Sequence, residues 1–229
     1  METSQLPDKA AKVLREIRKK YKTALEALTI NGHTIQLLQV TDLEPLLAGK
    51  DPFGNVSEFP FWVKLWEAAI VLSNAVADLA PKPGETLLEL GAGLGAPGLV
   101  AAVRGFKVTL SDYEPHILDF QRVSAAANGL KGVEHKIIDW TNPPELIQFD
   151  VIIGAEIIFR EDLFQPLLHV FNKYLAPGGV IYLAHDQRRK SLYKFMELAG
   201  DAYRILGKKV DIASDDKNQS IILNKLERK

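Results

Sequence analysis

Glycines dominate the stretch of the sequence whose residue types and spacing point most directly to ligand chemistry. The stretch reads Leu88-Glu89-Leu90-Gly91-Ala92-Gly93-Leu94-Gly95-Ala96-Pro97-Gly98, and it joins a predicted apolar strand to a predicted helix. Because glycine has no side chain, a ligand can lie directly on the backbone of such a loop. Glycine loops after a first strand bind dinucleotides, nucleoside phosphates and S-adenosylmethionine alike. The loop therefore predicts a nucleotide-type ligand and leaves its identity open.

Two cofactor classes fit the glycine loop at this point. The segment Gly93-Leu94-Gly95-Ala96-Pro97-Gly98 satisfies the G-x-G-x-x-G fingerprint of dinucleotide-binding proteins. Asp112 ends the next predicted strand, where a carboxylate can accept hydrogen bonds from the ribose hydroxyls of either cofactor. A dinucleotide-dependent oxidoreductase and an S-adenosylmethionine-dependent enzyme are both compatible with these residues.

Three further features favour S-adenosylmethionine. The carboxylate of Glu89, at the end of the first strand of this unit, would repel a pyrophosphate but tolerate a cationic sulfonium. Asp139-Trp140 follows the third strand and could offer an acceptor to the adenine amino group and an apolar wall to its ring, while Tyr113 could cover the adenine. The third feature is a predicted hairpin at the end of the chain, which ordinary dinucleotide folds lack.

The sequence resembles the class I S-adenosylmethionine-dependent methyltransferases over residues 59–226. Leu88-Glu89-Leu90-Gly91-Ala92-Gly93-Leu94-Gly95 matches the first motif of that class. Within the class, the chain is similar to the seven-strand protein-lysine methyltransferases that lack a SET domain. Pro60-Phe61-Trp62-Val63-Lys64-Leu65-Trp66-Glu67 and Gly154-Ala155-Glu156-Ile157-Ile158-Phe159-Arg160-Glu161-Asp162 carry this closer resemblance. Where that family usually has Asp-x-x-Tyr, this chain has Glu156-Ile157-Ile158-Phe159.

This resemblance implies a cofactor, a product and a set of contact residues. The cofactor is S-adenosylmethionine and the product is S-adenosylhomocysteine. The resemblance also places the segment that contains Trp66 against the methionine end of the cofactor. The predicted cofactor contacts are Trp66, Glu89, Gly91, Gly93, Gly95, Asp112, Tyr113, Asp139, Trp140 and Ala155.

Glu156, at the carboxyl end of the fourth strand of this unit, is predicted to be catalytic. Methyl transfer from a sulfonium is an in-line displacement that needs alignment but no metal, and the five histidines lack metal-ligand spacing. A lysine acceptor, with a reference pKa of about 10.4, loses its proton at pH 7 at a cost of about 4–5 kcal/mol. The Glu156 carboxylate could accept a hydrogen bond from the incoming amine. The alternative is an acid that caps a helix beginning near Asp162.

Three residues are predicted to contact the substrate: Phe159, Trp62 and Asp186. Phe159 could stack on the alkyl stem of the acceptor, and Trp62 lies about one turn before Trp66 at the start of a predicted helix. Asp186 belongs to His185-Asp186-Gln187-Arg188-Arg189-Lys190, which follows the fifth strand and should face the same cleft. Core packing of the two aromatic residues and a charged loop that opens the next helix are the alternatives.

An N-terminal layer precedes the glycine loop. Apolar residues at helical spacing predict an amphipathic helix from Lys9 to about Leu28. Asn31-Gly32 predicts a turn, and the alternation over His33–Val40 predicts a half-buried strand. Asp51-Pro52-Phe53-Gly54-Asn55 is typical of a loop, and Trp62–Leu79 is predicted to be a second helix.

After Gly84, short apolar runs alternate with helical patterns, which predicts parallel strands joined by crossover helices. Two strand-like runs separated by Ser214-Asp215-Asp216-Lys217-Asn218 should form the final hairpin, with one antiparallel strand. The fold class is α/β, doubly wound and Rossmann-like, with a mostly parallel seven-stranded sheet. We expect an N-terminal extension over residues 1–58, serving as a lid or docking layer, and a cofactor-binding domain over residues 59–229. The predicted strands are Thr86–Leu90, Lys107–Ser111, Glu134–Ile138, Phe149–Gly154, Val180–Ala184, Tyr203–Ile212 and Ser220–Leu226, and the predicted helices are Ala96–Val103, His116–Asn128, Leu163–Tyr174 and Ser191–Ala199.

Composition narrows the range of partners. The chain has 229 residues, of which 47% are hydrophobic, so it is long enough for one substantial core. Its 28 basic and 29 acidic residues give a formal charge of −1, which provides no net attraction for nucleic acid. It has no cysteine, its start is too charged for a signal peptide, and no apolar run could span a bilayer. We expect a cytoplasmic monomer that binds neither nucleic acid nor a membrane.

Methylation of a protein lysine side chain is the function that these observations and the resemblance favour. The resemblance implies a protein substrate, and the N-terminal layer could be either a docking surface for a protein or a lid over a small molecule. Methylation of a small-molecule nitrogen is the first alternative. A dinucleotide-dependent oxidoreductase and a catalytically silent module that only binds the cofactor are the others.

Overall fold

Helix α1 (Asp8–Arg18) and a hairpin open the fold in the computed structural model, which describes residues 6–47, 59–212 and 219–229. The hairpin consists of β1 (Thr23–Ile30) and β2 (His33–Val40), and the short helix α2 (Glu44–Leu47) follows. The predicted helix was therefore wrong beyond Arg18, whereas the predicted strand over His33–Val40 is confirmed. The loops predicted at 51–55 and 214–218 lie outside the described residues.

The Asn31-Gly32 turn explains why the first helix ends early. Both residues have positive φ, 45° and 81°, and Ile30 pairs with His33 directly across the turn. A two-residue turn of this type matches the twist of two antiparallel strands. The segment before the turn therefore pairs with β2 over eight residue pairs instead of continuing α1.

Aromatic packing shapes the segment that links this hairpin to the main domain. A 3-10 turn (Phe61–Val63) precedes helix α3 (Glu67–Ala77), and Lys64 between them is extended. The indole N–H of Trp66 donates a hydrogen bond to the carbonyl of Phe61 at 2.8 Å, which fixes this break. The predicted helix from Trp62 was therefore wrong at its start, because Trp66 is only the N-cap of α3.

A seven-stranded sheet forms the centre of the main domain. The elements are β3 (Thr86–Glu89), α4 (Ala96–Arg104), β4 (Lys107–Asp112), α5 (Pro115–Ala127), β5 (Glu134–Ile137), β6 (Phe149–Ala155), α6 (Phe164–Tyr174), β7 (Leu175–Asp186), α7 (Lys190–Ala199), β8 (Tyr203–Ile212) and β9 (Gln219–Arg228). In the sheet, β5, β4, β3, β6 and β7 are neighbours in that order and parallel, whereas β9 is antiparallel to both β7 and β8. The predicted α/β fold and terminal hairpin are confirmed.

Strand β7 begins earlier than the sequence indicated. Ala176-Pro177-Gly178-Gly179 has the composition of a helix stop, and α6 does end at Tyr174. However, Leu175 pairs with Phe149 across a register shift in β6, so the strand starts at once. An irregularity at the start of the pairing accommodates Gly178, which has φ 75°.

Helices cover both faces of the sheet. Leu87 contributes to the core that contains α3 and α4, whereas its neighbour Leu88 contributes to the core that contains α6 and α7. Successive strand residues point to opposite faces, which produces this division. In the described ranges, no helix is long and apolar enough to cross a membrane.

The strand order creates a crevice at the carboxyl ends of β3 and β6. From β3 the chain moves to β4 and β5 on one side, and then returns to β6 on the other. Connections that diverge in this way leave a gap at the strand ends, where ligands of open α/β sheets bind. The loops after β3, β4, β5 and β6 meet at this gap.

Candidate active site

A cavity of about 570 Å³ occupies the crevice. It is lined by the loops after β3, β4, β5 and β6 and by the segment before α3. The structure thus brings together every residue predicted to contact the cofactor: Trp66, Glu89, Gly91, Gly93, Gly95, Asp112, Tyr113, Asp139, Trp140 and Ala155.

Left-handed backbone at three glycines shapes the floor of this cavity. Gly91, Gly93 and Gly95 have φ values of 57°, 52° and 76°. The N–H of Gly93 donates to Oδ2 of Asp112 at 2.9 Å, and its carbonyl accepts a hydrogen bond from Nε2 of Gln121 at 2.8 Å. Residues with a Cβ rarely adopt such φ values, so the glycine pattern is required by the backbone.

Asp112 connects the glycine loop to the end of β4. Its Oδ1 accepts the N–H of Tyr113 at 2.8 Å, while Oδ2 accepts the N–H of Gly93. Burial raises the pKa of this carboxyl, and the backbone N–H donors act against that rise. A carboxylate has further lone pairs, so Asp112 can also accept hydrogen bonds from vicinal hydroxyls. The adjacent Tyr113 side chain is exposed at the rim.

Glu89 supports the loop from below. Its side chain is buried, and Oε2 accepts the N–H of Gly98 at 2.8 Å. Burial raises the pKa of Glu89 to about 8. Near pH 7 the carboxyl is therefore mostly protonated, so repulsion of a pyrophosphate by its charge does not discriminate between cofactors. Glu89 instead fastens the start of α4 to the end of β3.

Asp139 and Trp140 form the wall that follows β5. Oδ1 of Asp139 accepts hydrogen bonds from the backbone N–H and hydroxyl of Thr141, at 2.9 and 2.7 Å, and these lower the pKa of the carboxyl. The Trp140 ring is partly buried and lies beside Gly91. The pair thus presents an acidic group and an apolar ring to the cavity, the chemistry that an adenine base requires.

Glu156 directly follows β6 in an unusual backbone conformation. Its φ is 56°, a value uncommon for a residue other than glycine and often found at functional sites. Its N–H donates to the carbonyl of Ala184 at 2.9 Å, which ties it to β7. Its Oε1 accepts the N–H of Asp186 at 2.6 Å, and its Oε2 forms an ion pair with Nε of Arg189.

The helix-capping interpretation of Glu156 is wrong. The 3-10 turn at Glu161–Leu163 has Arg160 as its N-cap, and α6 has Leu163 as its N-cap. Glu156 lies ahead of both, and its side chain points across to the β7–α7 connection. The carboxylate therefore lines the cavity instead of capping a helix.

A second cavity of about 480 Å³ adjoins the first and shares Lys64, Trp66 and Glu156 with it. Asp186 lines this second cavity and not the first, and it accepts hydrogen bonds from Arg188 and from Nε2 of Gln219 at 2.9 Å. The lining residues are Lys64, Trp66, Glu67, Glu156, Asp186, Arg188, Arg189 and Gln219.

His185 does not face the cleft as the sequence suggested. It is fully buried, and its Nε2 accepts the N–H of Ile158 at 3.2 Å. Burial lowers its pKa to about 3, so the ring is neutral. Successive residues of a strand point to opposite faces, which directs His185 into the core and Asp186 outward.

The two aromatic residues predicted to contact the substrate occupy different environments. Phe159 is half-exposed and lines the first cavity. The Trp62 ring packs edge-to-face against Tyr21 and Phe120, with centroids 5.9 and 4.9 Å apart. Trp62 also lines the cavity, but these contacts favour its packing role over contact with a substrate.

Two important side chains were not found by sequence reasoning. Gln121 is fully buried under the glycine loop, and Arg189 pairs with Glu156. A polar residue within the apolar stripe of α5 was a usable signal for Gln121, because buried amides require hydrogen-bond partners. No local pattern distinguished Arg189 from its basic neighbours. In the part of the chain that the structure describes, no group of three potential metal ligands occurs.

Comparison with known sequences identifies relatives for most of this domain. The model of a family described as lysine methyltransferase matches residues 61–202. Protein N-lysine methyltransferase METTL21A of Xenopus tropicalis is 31% identical over 140 residues, covering 58% of this chain and 65% of the relative. Histone-arginine methyltransferase METTL23 of Mus musculus is 35% identical over 125 residues, covering 50% of this chain and 48% of the relative. The chain thus spans between about half and two-thirds of the length of these relatives.

Solved structures share the fold at low sequence identity. Precorrin-6y C5,15-methyltransferase from Geobacter metallireducens superposes with a TM-score of 0.58 and 15% identity, covering 75% of this chain and 92% of that one. TYW2 from P. horikoshii, in complex with MeSAdo, gives a TM-score of 0.56 and 15% identity, covering 94% and 80%. Both are similar in fold.

Proposed function

Because the chain belongs to the lysine methyltransferase family, we propose that it transfers a methyl group from S-adenosylmethionine to the side-chain nitrogen of a protein lysine. S-adenosylmethionine, the cofactor expected from the sequence, agrees with this family membership. Relatives named for lysine and arginine methylation both act on nitrogen atoms of protein side chains, which supports a protein acceptor. The predicted cytoplasmic location stays a prediction.

The observation that carries this proposal is the position of Glu156. This carboxylate lies where the cavity lined by the predicted cofactor contacts meets the polar second cavity. A methyl donor in the first cavity and an acceptor amine in the second can be aligned for in-line transfer only at such a junction. Glu156 is the acidic residue that faces both cavities.

Cofactor binding is assigned to the floor and walls of the first cavity. The glycine loop would accommodate the methionine portion, since its backbone is bare at Gly91, Gly93 and Gly95. Asp112 would accept hydrogen bonds from the ribose hydroxyls, and Asp139 with Trp140 would hold the adenine. Trp66 and Ala155 would contact the methionine end.

Glu156 would orient the acceptor. The bound cofactor supplies the electrophilic methyl group, which an amine lone pair attacks. The amine must be unprotonated, at a cost of about 4–5 kcal/mol for lysine at pH 7. Two lone-pair positions of the Glu156 carboxylate are used by Asp186 and Arg189, and the others can accept an N–H of the amine. Phe159, half-exposed at the rim, would contact the alkyl stem, and Asp186 would contact the substrate through the second cavity.

The N-terminal extension is proposed to be a docking layer that is firmly attached to the main domain. Leu14 of α1 and Leu38 of β2 pack against Phe120 and Val123 of α5. The backbone N–H of Leu38 also donates to the hydroxyl of Ser124 at 2.9 Å. Apolar packing combined with a buried hydrogen bond favours a fixed surface over a swinging lid.

Incubation with radiolabelled S-adenosylmethionine and a cell extract tests the proposed function. We expect label in one or a few proteins, recovered as methyl-lysine after acid hydrolysis. Label only in small molecules would support the small-molecule alternative, and label in neither would support a silent cofactor-binding module. An Asp112→Ala variant, in which cofactor binding should fail, serves as the matched control for background labelling.

A further inference from the structure

Arg189 forms an ion pair with the carboxylate of Glu156, the proposed catalytic residue. It is the N-cap of α7, and its guanidinium Nε pairs with Oε2 of Glu156. The pair is largely shielded, because the side chains retain only 34% and 14% of their exposure. Interactions between charges strengthen when water is excluded, so this ion pair differs from those on the open surface.

The other charged groups around this pair are engaged elsewhere. From the β7–α7 connection, Arg188 pairs with Asp186 through Nη2 at 2.6 Å. From the segment before α3, Nζ of Lys64 lies 3.9 Å from Oε1 of Glu67. Gln219 of β9 is uncharged and donates to Asp186. Among the described residues that line the second cavity, Arg189 is therefore the cation in contact with the Glu156 carboxylate, while Arg188 interacts with that charge only from farther away.

An uncompensated carboxylate would conflict with the chemistry of amine methylation. A nearby negative charge favours the protonated form of an amine and raises its pKa. An ammonium ion has no lone pair with which to attack a methyl group. A lone glutamate would therefore bind the acceptor well but hold it in its unreactive form.

We propose that Arg189 is a positioning residue that compensates the charge of Glu156, so that the carboxylate holds the acceptor amine without retaining its extra proton. This inference rests on the proposed function. Arg189 touches neither the methyl group nor the amine, and it acts through Glu156. The hydrogen bond from the backbone of Asp186 fixes the second oxygen, so the carboxylate keeps one orientation.

The proposed step is balanced without any further reactant. The acceptor ammonium loses one proton to water through the polar second cavity, which leaves a neutral amine beside Glu156. The nitrogen lone pair then forms the N–C bond while the C–S bond breaks and its electron pair stays on sulfur. The products are the methylated ammonium and S-adenosylhomocysteine.

The dependence of kcat on pH is the deciding measurement, because kcat reports ionisations of the enzyme–substrate complex. The assay uses a synthetic peptide that covers the lysine labelled in the extract experiment. For Arg189→Met, we expect the acid limb of the kcat–pH profile to move to higher pH by about one unit. At pH values below the limb, kcat should fall about tenfold. Arg189→Lys keeps a cation, so its limb should lie within about 0.3 pH units of the wild type.

A second variant reverses the sign of the effect. Glu156→Gln keeps an acceptor oxygen but removes the negative charge, which leaves the cation of Arg189 uncompensated. The acid limb of this variant should move down, although kcat itself is reduced. A structural defect would lower kcat at every pH without moving the limb. Arg204→Met, which removes a different arginine–glutamate pair between β8 and β9, is the matched control and should leave the profile unchanged.

Each result either supports or overturns the proposal. Opposite shifts in Arg189→Met and Glu156→Gln, with rescue by Arg189→Lys, support it. If the acid limbs of these two variants do not move, or move in the same direction, the proposal is overturned even when the wild type is active. If Arg189→Met does not fold, the direction of the Glu156→Gln shift decides alone. If the wild type labels no protein lysine, the proposed function fails first and this inference fails with it.

Discussion

The two sides of the crevice are built by different means. On the side proposed to bind the cofactor, backbone N–H groups of Gly93 and Gly98 donate to the partly buried carboxyl group of Asp112 and the buried one of Glu89. On the side proposed to bind the acceptor, side chains pair with each other, as Glu156 does with Arg189 across the ends of β6 and β7. The cofactor side therefore depends on glycine backbone geometry, whereas the acceptor side depends on compensated charges.

This difference determines how well each side of the crevice tolerates amino-acid substitutions. A loop held by backbone geometry tolerates few substitutions, because any Cβ strains it or collides with its neighbours. Ion pairs between side chains can be exchanged while the strands remain in place. Side-chain contacts around Glu156 can therefore change while the glycine loop stays the same. Relatives of this chain are named for methylation of lysine and of arginine.

The largest effect is expected for Asp112→Ala on the cofactor side. The change removes a carboxylate that fixes the glycine loop and is proposed to bind the ribose. Two hydrogen bonds to a charged group amount to about 3 kcal/mol, or about a hundredfold rise in the Kd of S-adenosylmethionine. Calorimetric titration measures it. Asp112→Asn, which keeps one acceptor oxygen, should lose less, and an unchanged Kd in the alanine variant would remove Asp112 from the site.

Gly98→Ala tests the dependence on backbone geometry directly. A Cβ at Gly98 would lie 2.5 Å from Oε2 of Glu89 and closer still to Leu110. Overpacking of this kind should lower the free energy of unfolding by about 2 kcal/mol, measured by denaturant titration. Gly207→Ala in β8 is the control, since its Cβ would meet only the flexible end of Asn224. Equal stability of both variants would contradict the close approach of α4 to β3.

Glu156→Ala should separate the two sides of the crevice. Methyl transfer is expected to fall by at least about tenfold, equivalent to about 1.4 kcal/mol, because the acceptor loses its hydrogen-bond partner. The Kd of S-adenosylmethionine should change by less than about twofold, since the predicted adenine and ribose contacts are untouched. Glu161→Ala, at an exposed carboxylate paired with Lys194, is the control. Unchanged turnover of Glu156→Ala on the protein substrate identified in the extract experiment would refute the catalytic role of Glu156.

The smallest effect concerns the pH dependence of stability on the cofactor side. Burial raises the pKa of Glu89 to about 8 in the folded protein. The folded state therefore retains a proton that the unfolded chain releases, so this contribution to stability is lost as pH rises from about 4.5 to about 8. A glutamine side chain does not ionise, so Glu89→Gln lacks this dependence of stability on pH.

Without cofactor, the free energy of unfolding of Glu89→Gln relative to the wild type should rise by about 1 kcal/mol between pH 6.5 and 7.5. Denaturant titrations at both pH values measure this difference. Glu145→Gln, at an exposed carboxylate, should show a much smaller change. A difference that is constant or falls with pH would show that Glu89 is not held in its protonated form.

Sequence reasoning succeeded where the information was local or periodic. Alternating apolar runs predicted the seven strands, and the glycine pattern predicted the loop after β3. It failed where two local patterns competed. The helix predicted from spacing extended to about Leu28, but the Asn31-Gly32 turn and the pairing with β2 made Thr23–Ile30 a strand. Trp62 was placed on a helix, although aromatic packing with Tyr21 and Phe120 fixes it in a short turn.

Much of the acceptor side was beyond prediction because its contacts join residues distant in the sequence. Glu156 was selected from a motif, but its partner Arg189 is supplied by the end of β7 and the start of α7. His185 and Asp186 are adjacent in the sequence, and only the orientation of β7 shows which one is buried.

The sequence by itself determined the order of strands and helices and the glycine loop, because these follow from the backbone preferences and hydrophobic spacing of neighbouring residues. The class of cofactor followed from the resemblance of its motifs to those of the class I methyltransferases. Only the tertiary structure decided that Glu89 is buried with a raised pKa and that Glu156 is compensated by Arg189. Burial and charge pairing depend on which atoms meet after the chain folds. A nucleotide-type site was therefore predictable from the glycines, whereas the surroundings of Glu156 depend on contacts between the ends of β6 and β7.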